Sequence, residues 1–185
     1  MAVDTLTTQK TKVAASAKIS SLGELAKTIR ASAVAEALSD RRAYASNEAL
    51  LELELTRPSV RAAVKDGLAR GVARAVAAHD PQVQAIYTYD PSVDPDGEGG
   101  DDQPFDATIH LLALVTAPSA ALQAFIAALD RALTESLQDL PSPIFQIRES
   151  VLDLNLITRQ DVQDRKGYAG LLSATFAPAI EIWRR

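Results

Sequence analysis

Apolar residues recur at helical spacing in three segments of the chain. The first covers residues 22–38 and follows Ser21-Leu-Gly-Glu24, which has the spacing of a capping box. The second and third begin at Pro58 and Pro118, and proline is favoured in the first turn of a helix. Three helices are therefore predicted, with core-facing residues Leu22, Leu25, Ile29, Ala33 and Ala37 or Leu38; Val60, Val64, Leu68, Val72 and Val76; and Leu122, Phe125, Ile126, Leu129, Leu133 and Leu137.

Between the helices the pattern is that of β-strands. Residues 82–89 alternate, which places the odd-numbered residues from Val83 to Tyr89 on one face. Residues 108–115 are almost continuously apolar, as is typical of a strand buried on both faces. The order of elements predicts an α/β (α+β) fold, a small mixed β-sheet with flanking helices. Its remaining elements are expected to be strands at 144–147, 150–158 and 179–183 and a last helix around 167–175.

The first 57 residues are predicted to form an N-terminal tail and helical arm ahead of a domain at residues 58–185. Residues 1–18 are polar and aperiodic, so a flexible or partner-ordered tail is expected there. The apolar stripe of residues 22–38 needs cover from its own domain or from a partner subunit. We therefore expect a protein partner or self-association through the arm.

The composition restricts the chemistry that is open to the chain. It has no cysteine, which excludes disulfides and thiolate metal sites, and its two histidines, His79 and His110, are too few for a histidine-rich metal centre. No apolar run approaches the length that spans a bilayer, and the start of the chain lacks the pattern of a signal peptide. No membrane association and a cytoplasmic location are expected.

The net charge of −5 is concentrated in one stretch. Residues 90–106 hold seven acidic residues and no basic one, and nowhere do Lys and Arg form the clusters that phosphate backbones require, so no nucleic-acid partner is expected. Residues 90–104 are rich in Pro, Gly and Asp, which predicts a surface loop. Calcium binding is the alternative, because Asp94, Asp96 and Glu98 follow the spacing of an EF-hand loop, but Phe105 stands where its bidentate glutamate belongs.

From Pro58 onward, the order of elements and two stretches of sequence resemble the minimal nucleotidyltransferase-like superfamily. Residues 152–162 are similar to its strand that ends in threonine before an acidic helix start, and residues 168–183 are similar to its closing region. The resemblance implies three functional elements. One strand carries a pair of aspartates at i and i+2, a later strand carries a third carboxylate, and a Gly-Ser turn contacts phosphate.

The resemblance places uncharged side chains at the paired positions. Nucleotidyl transfer needs Mg²⁺, which prefers paired carboxylates, but Thr108 and His110 occupy the two positions. Asp153 matches the third carboxylate. The Gly-Ser turn is replaced by Asp90-Pro91, in which proline lacks an N–H and the aspartate repels phosphate.

These departures predict a catalytically degenerate member that acts as a protein-binding or assembly module, with no catalytic residue and no cofactor. Thr108, His110, Asp153 and Asp106 are its vestigial active-site positions. The alternative is an active metal-dependent nucleotidyltransferase or nucleotide-binding protein with displaced ligands. A shifted register would make Asp106 and Thr108 the pair, and Asp106 and Asp153 would be the carboxylates that serve Mg²⁺ and a nucleoside triphosphate. The resemblance also implies a possible toxin or defence-type partner.

Both histidines also have a structural interpretation. His110 lies within an apolar strand, where a hydrogen-bonded core histidine is favoured over a metal ligand or general base, and Asp153 is its plausible partner. His79 precedes Asp80-Pro81 and is expected at a helix C-terminus, where a cation is favourable.

Overall fold

The structure is a computed structural model that describes residues 4–39, 54–89, 108–140, 150–174 and 178–185, with side chains from Ser21 onward. Asp106, the acidic stretch 90–104 and the strand expected at 144–147 lie outside these ranges. Within them, no helix has both the length and the apolar character needed to cross a membrane.

Four α-helices, four strands and one 3-10 helix are described, and they form an α/β fold of the predicted class. The chain runs through α1 (Asp4–Ala37), α2 (Pro58–His79), β1 (Val83–Thr88), β2 (Ile109–Val115), α3 (Ala120–Gln138), β3 (Leu152–Ile157), α4 (Arg159–Gln163), the 3-10 helix (Gly167–Ser173) and β4 (Ile180–Arg184).

The four strands form one mixed sheet in the order β3-β2-β1-β4. β1 pairs with β2 and with β4 in antiparallel fashion, whereas β2 and β3 are parallel. Parallel strands need a crossover connection, and α3 lies in the one between β2 and β3. β1 and β2 flank the acidic stretch and are neighbours in the sheet.

The main hydrophobic core lies on one face of the sheet, which we call the inner face. The ridge of α2 from Val60 to Val76 is buried in full, and so are Leu122, Leu129, Leu133 and Leu137 of α3. Both predicted helical stripes are therefore confirmed. α1 packs mainly on α2 and α3 rather than on the sheet, so the helices form two layers over the inner face.

The contact between α1 and α2 depends on two glycines one turn apart in α2. A Cβ atom at Gly67 would lie 2.9 Å from the Cα atom of Ala33, and one at Gly71 would lie 2.6 Å from Cγ2 of Ile29. The absence of these two side chains lets the helices approach closely. The stripe of α1 is thus covered by its own chain, the first of the two expected alternatives.

Two sequence predictions are wrong at the level of single elements. α1 begins at Asp4 rather than at Ser21, so residues 4–18 are helical instead of a flexible tail. The stretch 4–20 contains no Gly or Pro, and adding a residue to an existing helix is much easier than nucleating one. The last helix is a 3-10 helix, Gly167–Ser173, rather than an α-helix.

The third correction concerns β1. Its odd-numbered residues do not share one face, because an irregularity in the pairing with β2 falls between Val83 and Ala85. Val83 consequently packs in the main core, whereas Tyr87 and Tyr89 belong to a smaller cluster on the opposite, outer face. A β-bulge adds a residue to one strand and so reverses the faces of the residues on either side.

Candidate functional site

The candidate site lies on the outer face, near the starts of β2 and β3. His110 and Asp153 are register partners in the parallel pair of strands. Asn155 follows two residues after Asp153 and shares its face, because side chains alternate along a strand. Tyr89, the residue after β1, completes the group, since its backbone N–H donates to the carbonyl oxygen of His110 at 3.2 Å.

Asp153 is the centre of this network. Its Oδ2 atom accepts a hydrogen bond from the Tyr89 hydroxyl at 3.1 Å and lies 3.0 Å from Nδ1 of His110. Its Oδ1 atom accepts from the Asn155 amide at 3.0 Å. The same amide lies 3.4 Å from the Tyr89 hydroxyl. Both carboxylate oxygens are therefore engaged by donors of the protein itself.

The network is partly open to solvent. The side chain of His110 is 14% exposed and that of Asp153 is 41% exposed, whereas Tyr89 is buried. Burial, followed by the charge of the Asp153 carboxylate and the hydrogen bond to it, raises the pKa of Tyr89 well above its usual value. The phenol therefore stays neutral and remains a donor through the physiological pH range.

Aromatic rings extend the network outward. The Tyr89 ring lies 5.4 Å from the His110 ring and 5.6 Å from the Tyr168 ring, measured between ring centroids, and both pairs are tilted. Tyr168 belongs to the 3-10 helix and is half-exposed. Tyr89 thus links the sheet to the segment that covers it.

The structure unites two of the four vestigial positions. His110 and Asp153 are in contact, which is the partnership expected for a hydrogen-bonded core histidine. Thr108 is half-buried one residue before β2, and Asp106 lies outside the described residues. Among the residues that are described, no group of three or more His, Cys, Asp or Glu side chains could hold a metal ion.

The geometry sets what the His110 imidazole can do. Its Nδ1 atom faces a carboxylate, so a neutral ring carries its proton there and leaves Nε2 as an acceptor. The pair can hold or exchange a proton at Nε2. Donors of three other side chains occupy three of the roughly four lone-pair positions of the Asp153 carboxylate, so little of it is left open to a cation.

Two members of the network, Tyr89 and Asn155, were missed as site residues. A signal for Asn155 exists in the sequence, because it follows Asp153 at the i+2 spacing that places two strand residues on one face. The alternation of residues 82–89 places Tyr89 in a strand but indicates no hydrogen-bond partner for its hydroxyl. Its contact depends on the pairing of β1 with β2, which local sequence does not specify.

Two other features of the structure bear on the remaining candidate residues. His79 lies in the last turn of α2, as predicted, and its ring stacks on that of Phe125 with centroids 3.8 Å apart. A groove of about 410 Å³ lies between α3 and β3, lined by Ile126, Leu154 and Leu156 among others. Asp130 at its margin accepts hydrogen bonds from the backbone N–H groups of Val151 and Leu152.

Comparison with protein-family models, with curated proteins and with solved structures finds no match to the chain.

Proposed function

We propose that the chain is a catalytically degenerate nucleotidyltransferase-like protein that acts as a protein-binding or assembly module. The frame supports this, because β2 and β3 are adjacent and parallel and bring the positions that match catalytic residues side by side. At those positions stand His110 and Asp153, bonded to each other. The frame of such an enzyme is combined with side chains that suit a structural role.

The engagement of Asp153 carries the proposal. A carboxylate that binds Mg²⁺ must turn its lone pairs toward the cation, whereas a hydroxyl, an imidazole and an amide occupy three of the roughly four lone-pair positions of Asp153. Freeing them would leave partly buried donors unsatisfied, at a cost of about 1–3 kcal/mol for each group. The network therefore favours its own closed arrangement over metal binding.

Titration calorimetry with ATP and Mg²⁺ tests whether the site binds a nucleotide together with its metal. We expect no saturable heat from the wild-type protein. Saturable binding that requires Mg²⁺ and disappears in Asp153→Ala would contradict the proposal. Asp153→Asn is the matched variant, because it keeps the shape of the side chain while it removes the charge and turns one acceptor into a donor.

The first half of α1 is the proposed association element. Among the residues of α1 whose side chains the structure describes, those from Leu25 to Ala37 pack on the core, and the helix begins 21 residues before Leu25, at Asp4. Leu6 and Val13 are seven residues apart, so a helix places them on one face. An apolar pair at this spacing suits packing against another helix.

Sedimentation of two double variants tests this element. We expect the wild-type chain to associate and Leu6→Glu/Val13→Glu to shift it toward the monomer. Thr8→Glu/Ala15→Glu is the control, since it adds the same charges at the same spacing on the opposite face of the helix. A wild-type chain that remains monomeric at every concentration contradicts self-association.

The alternative, a nucleotide-binding or active protein with displaced ligands, is favoured by one observation. The side chain of Asp153 is 41% exposed, so solvent and ligands can reach it. Under this alternative Asp106 would supply the second carboxylate. Asp106→Asn should then abolish the Mg²⁺-dependent heat as completely as Asp153→Asn does.

A further inference from the structure

The segment formed by residues 165–174, which we call the cover segment, lies over the candidate site. Its Tyr168 ring contacts Tyr89, and its Ala169 packs in one cluster with Tyr89, Leu112 and Ile157. This cluster is separate from the main core on the inner face. The cover segment therefore contacts the sheet through the smaller of the two cores.

The cover segment is weakly anchored. Ala169 is its only buried residue, Leu171 and Leu172 pack half-buried on the same cluster, and Tyr168 is 51% exposed. Seven of its residues form a 3-10 helix, whose hydrogen bonds have poorer geometry than those of an α-helix and whose runs seldom exceed four residues. Segments with few buried apolar contacts open at low free energy, independently of the rest of a protein.

The start of the cover segment has a conformation that its sequence only partly favours. Arg165 has φ of 51° and Gly167 has φ of 53°, both in the left-handed region. Glycine adopts this region without strain, whereas arginine does so at a cost because of its Cβ atom. The backbone turns at residues 165–167, between α4 and the 3-10 helix, and stores strain there.

From these observations we propose that residues 165–174 form a lid that opens about residues 165–167 without unfolding of the main core. Opening removes the contacts of Tyr168, Ala169, Leu171 and Leu172 and exposes Tyr89, which is buried in the closed state. The inner face, with α1, α2 and α3 packed on it, is unchanged. The lid controls the exposure of Tyr89, the buried member of the Asp153 network.

Native-state hydrogen exchange tests the lid. Its amides at Ala169 and Ala174 donate to Lys166 and Leu171, and the amide of Ile109 in β2 donates to Val151 at 2.7 Å and serves as the reference. The lid amides should exchange at least about ten-fold faster than Ile109, through openings that low concentrations of denaturant do not promote.

Variants at the turn should change the rate of lid exchange in opposite directions. Gly167→Ala meets no atom within 4 Å but forces alanine to adopt a positive φ, so lid exchange should rise about five-fold. Arg165→Gly relieves the strain at the positive φ and should slow lid exchange. The effect should be only about two-fold, because glycine also raises the conformational entropy of the open lid. The Ile109 amide should be unaffected in both variants.

Gly170→Ala is the matched control within the same 3-10 helix. A Cβ atom at this position meets only the Arg165 carbonyl oxygen at an ordinary 3.6 Å, and the residue is outside the left-handed region. It should not accelerate lid exchange. The proposal is overturned if Ala169 and Ala174 exchange as slowly as Ile109, or if Gly167→Ala accelerates all three amides equally.

Discussion

The Asp153 carboxylate is the acceptor that the other side chains of the candidate site share. It joins β2 through His110, the end of β1 through Tyr89, and its own strand through Asn155. One short side chain thus satisfies donors from three strands. Removal of this carboxylate should therefore lower the free energy of unfolding.

Asp153→Ala should lower the free energy of unfolding by about 1–2 kcal/mol, since it leaves partly buried donors without an acceptor while solvent weakens the effect. Urea denaturation at neutral pH measures this. Asp164→Ala is the control, because Asp164 is exposed and its side chain accepts only from Gln160 one turn away. Equal losses in the two variants would contradict the role of the network.

The raised pKa of Tyr89 predicts a dependence of stability on pH. Burial is the largest cause, and the neutral phenol is favoured in the folded state, whereas in the unfolded chain it ionises around its ordinary value of 10.0. The contribution of Tyr89 is therefore complete below pH 10 and is lost as the pH rises above it.

Denaturation of the wild-type protein and of Tyr89→Phe from pH 8 to pH 11 tests this sign. The wild-type protein should lose stability above pH 10 more steeply than the variant, which has no phenol at this position. Below pH 9 the difference between the two should be constant. Parallel curves over the whole range would show that Tyr89 ionises equally in both states.

At the scale of elements, the packing of α1 on α2 reverses the usual effect of Gly→Ala substitutions on stability. Replacing glycine by alanine inside a helix normally stabilises it by roughly 0.5–1 kcal/mol. At Gly67 the new Cβ atom would meet the backbone of Ala33, and at Gly71 it would meet the side chain of Ile29. A backbone atom cannot move away from the new Cβ atom as easily as a side chain can, so the clash at Gly67 costs more than the clash at Gly71.

Gly67→Ala should therefore destabilise the protein by about 1–3 kcal/mol, and Gly71→Ala by less. Gly23→Ala in α1 is the control, because nothing lies within 4 Å of its Cβ position, and it should stabilise the protein. Thermal unfolding distinguishes the three variants. A stabilising Gly67→Ala would show that α1 is not held in this position.

The elements that the sequence predicts well are those with a strong local period. The ridge of α2 is visible because Val or Leu recurs at every fourth position, the stripe of α3 because one face alone is buried, and β2 because it is an apolar run. The start of α1 was hidden because Ser21 to Glu24 imitates a helix cap. The bulge in β1 was hidden because it arises from pairing with β2.

The candidate site was predictable to the same extent. His110 and Asp153 could be proposed as partners because the resemblance of the sequence places both at positions of one site. The engagement of Tyr89 and Asn155 could not be foreseen, since it depends on the order of the strands and on their register. These are properties of the sheet, which no single segment encodes.

At the scale of the whole molecule, two carboxylates fasten the helices to the sheet. Asp80 follows α2 and accepts from the backbone of Gln82 and from the hydroxyl of Ser119, which caps α3. Asp130, in the middle of α3, accepts from three groups at the start of β3. Both orient a helix relative to the strand beside it.

Asp130→Ala should destabilise the protein by about 2 kcal/mol, because two backbone N–H groups lose their acceptor at the start of β3. Ser150→Ala removes only a hydroxyl donor to the same carboxylate and should cost about 1 kcal/mol or less. Chemical denaturation measures both. The order of the two losses is the prediction, and a reversed order would contradict it.

The position of β4 beside β1 has a consequence for synthesis. β1 can pair with β2 soon after both leave the ribosome, but its other edge waits for residues 180–184. Roughly a hundred residues separate the two partners, which at 5–20 residues per second is about 5–20 s of translation. Throughout that interval the nascent chain exposes an unpaired row of amides and carbonyls to its neighbours, a period in which a chaperone would protect it most.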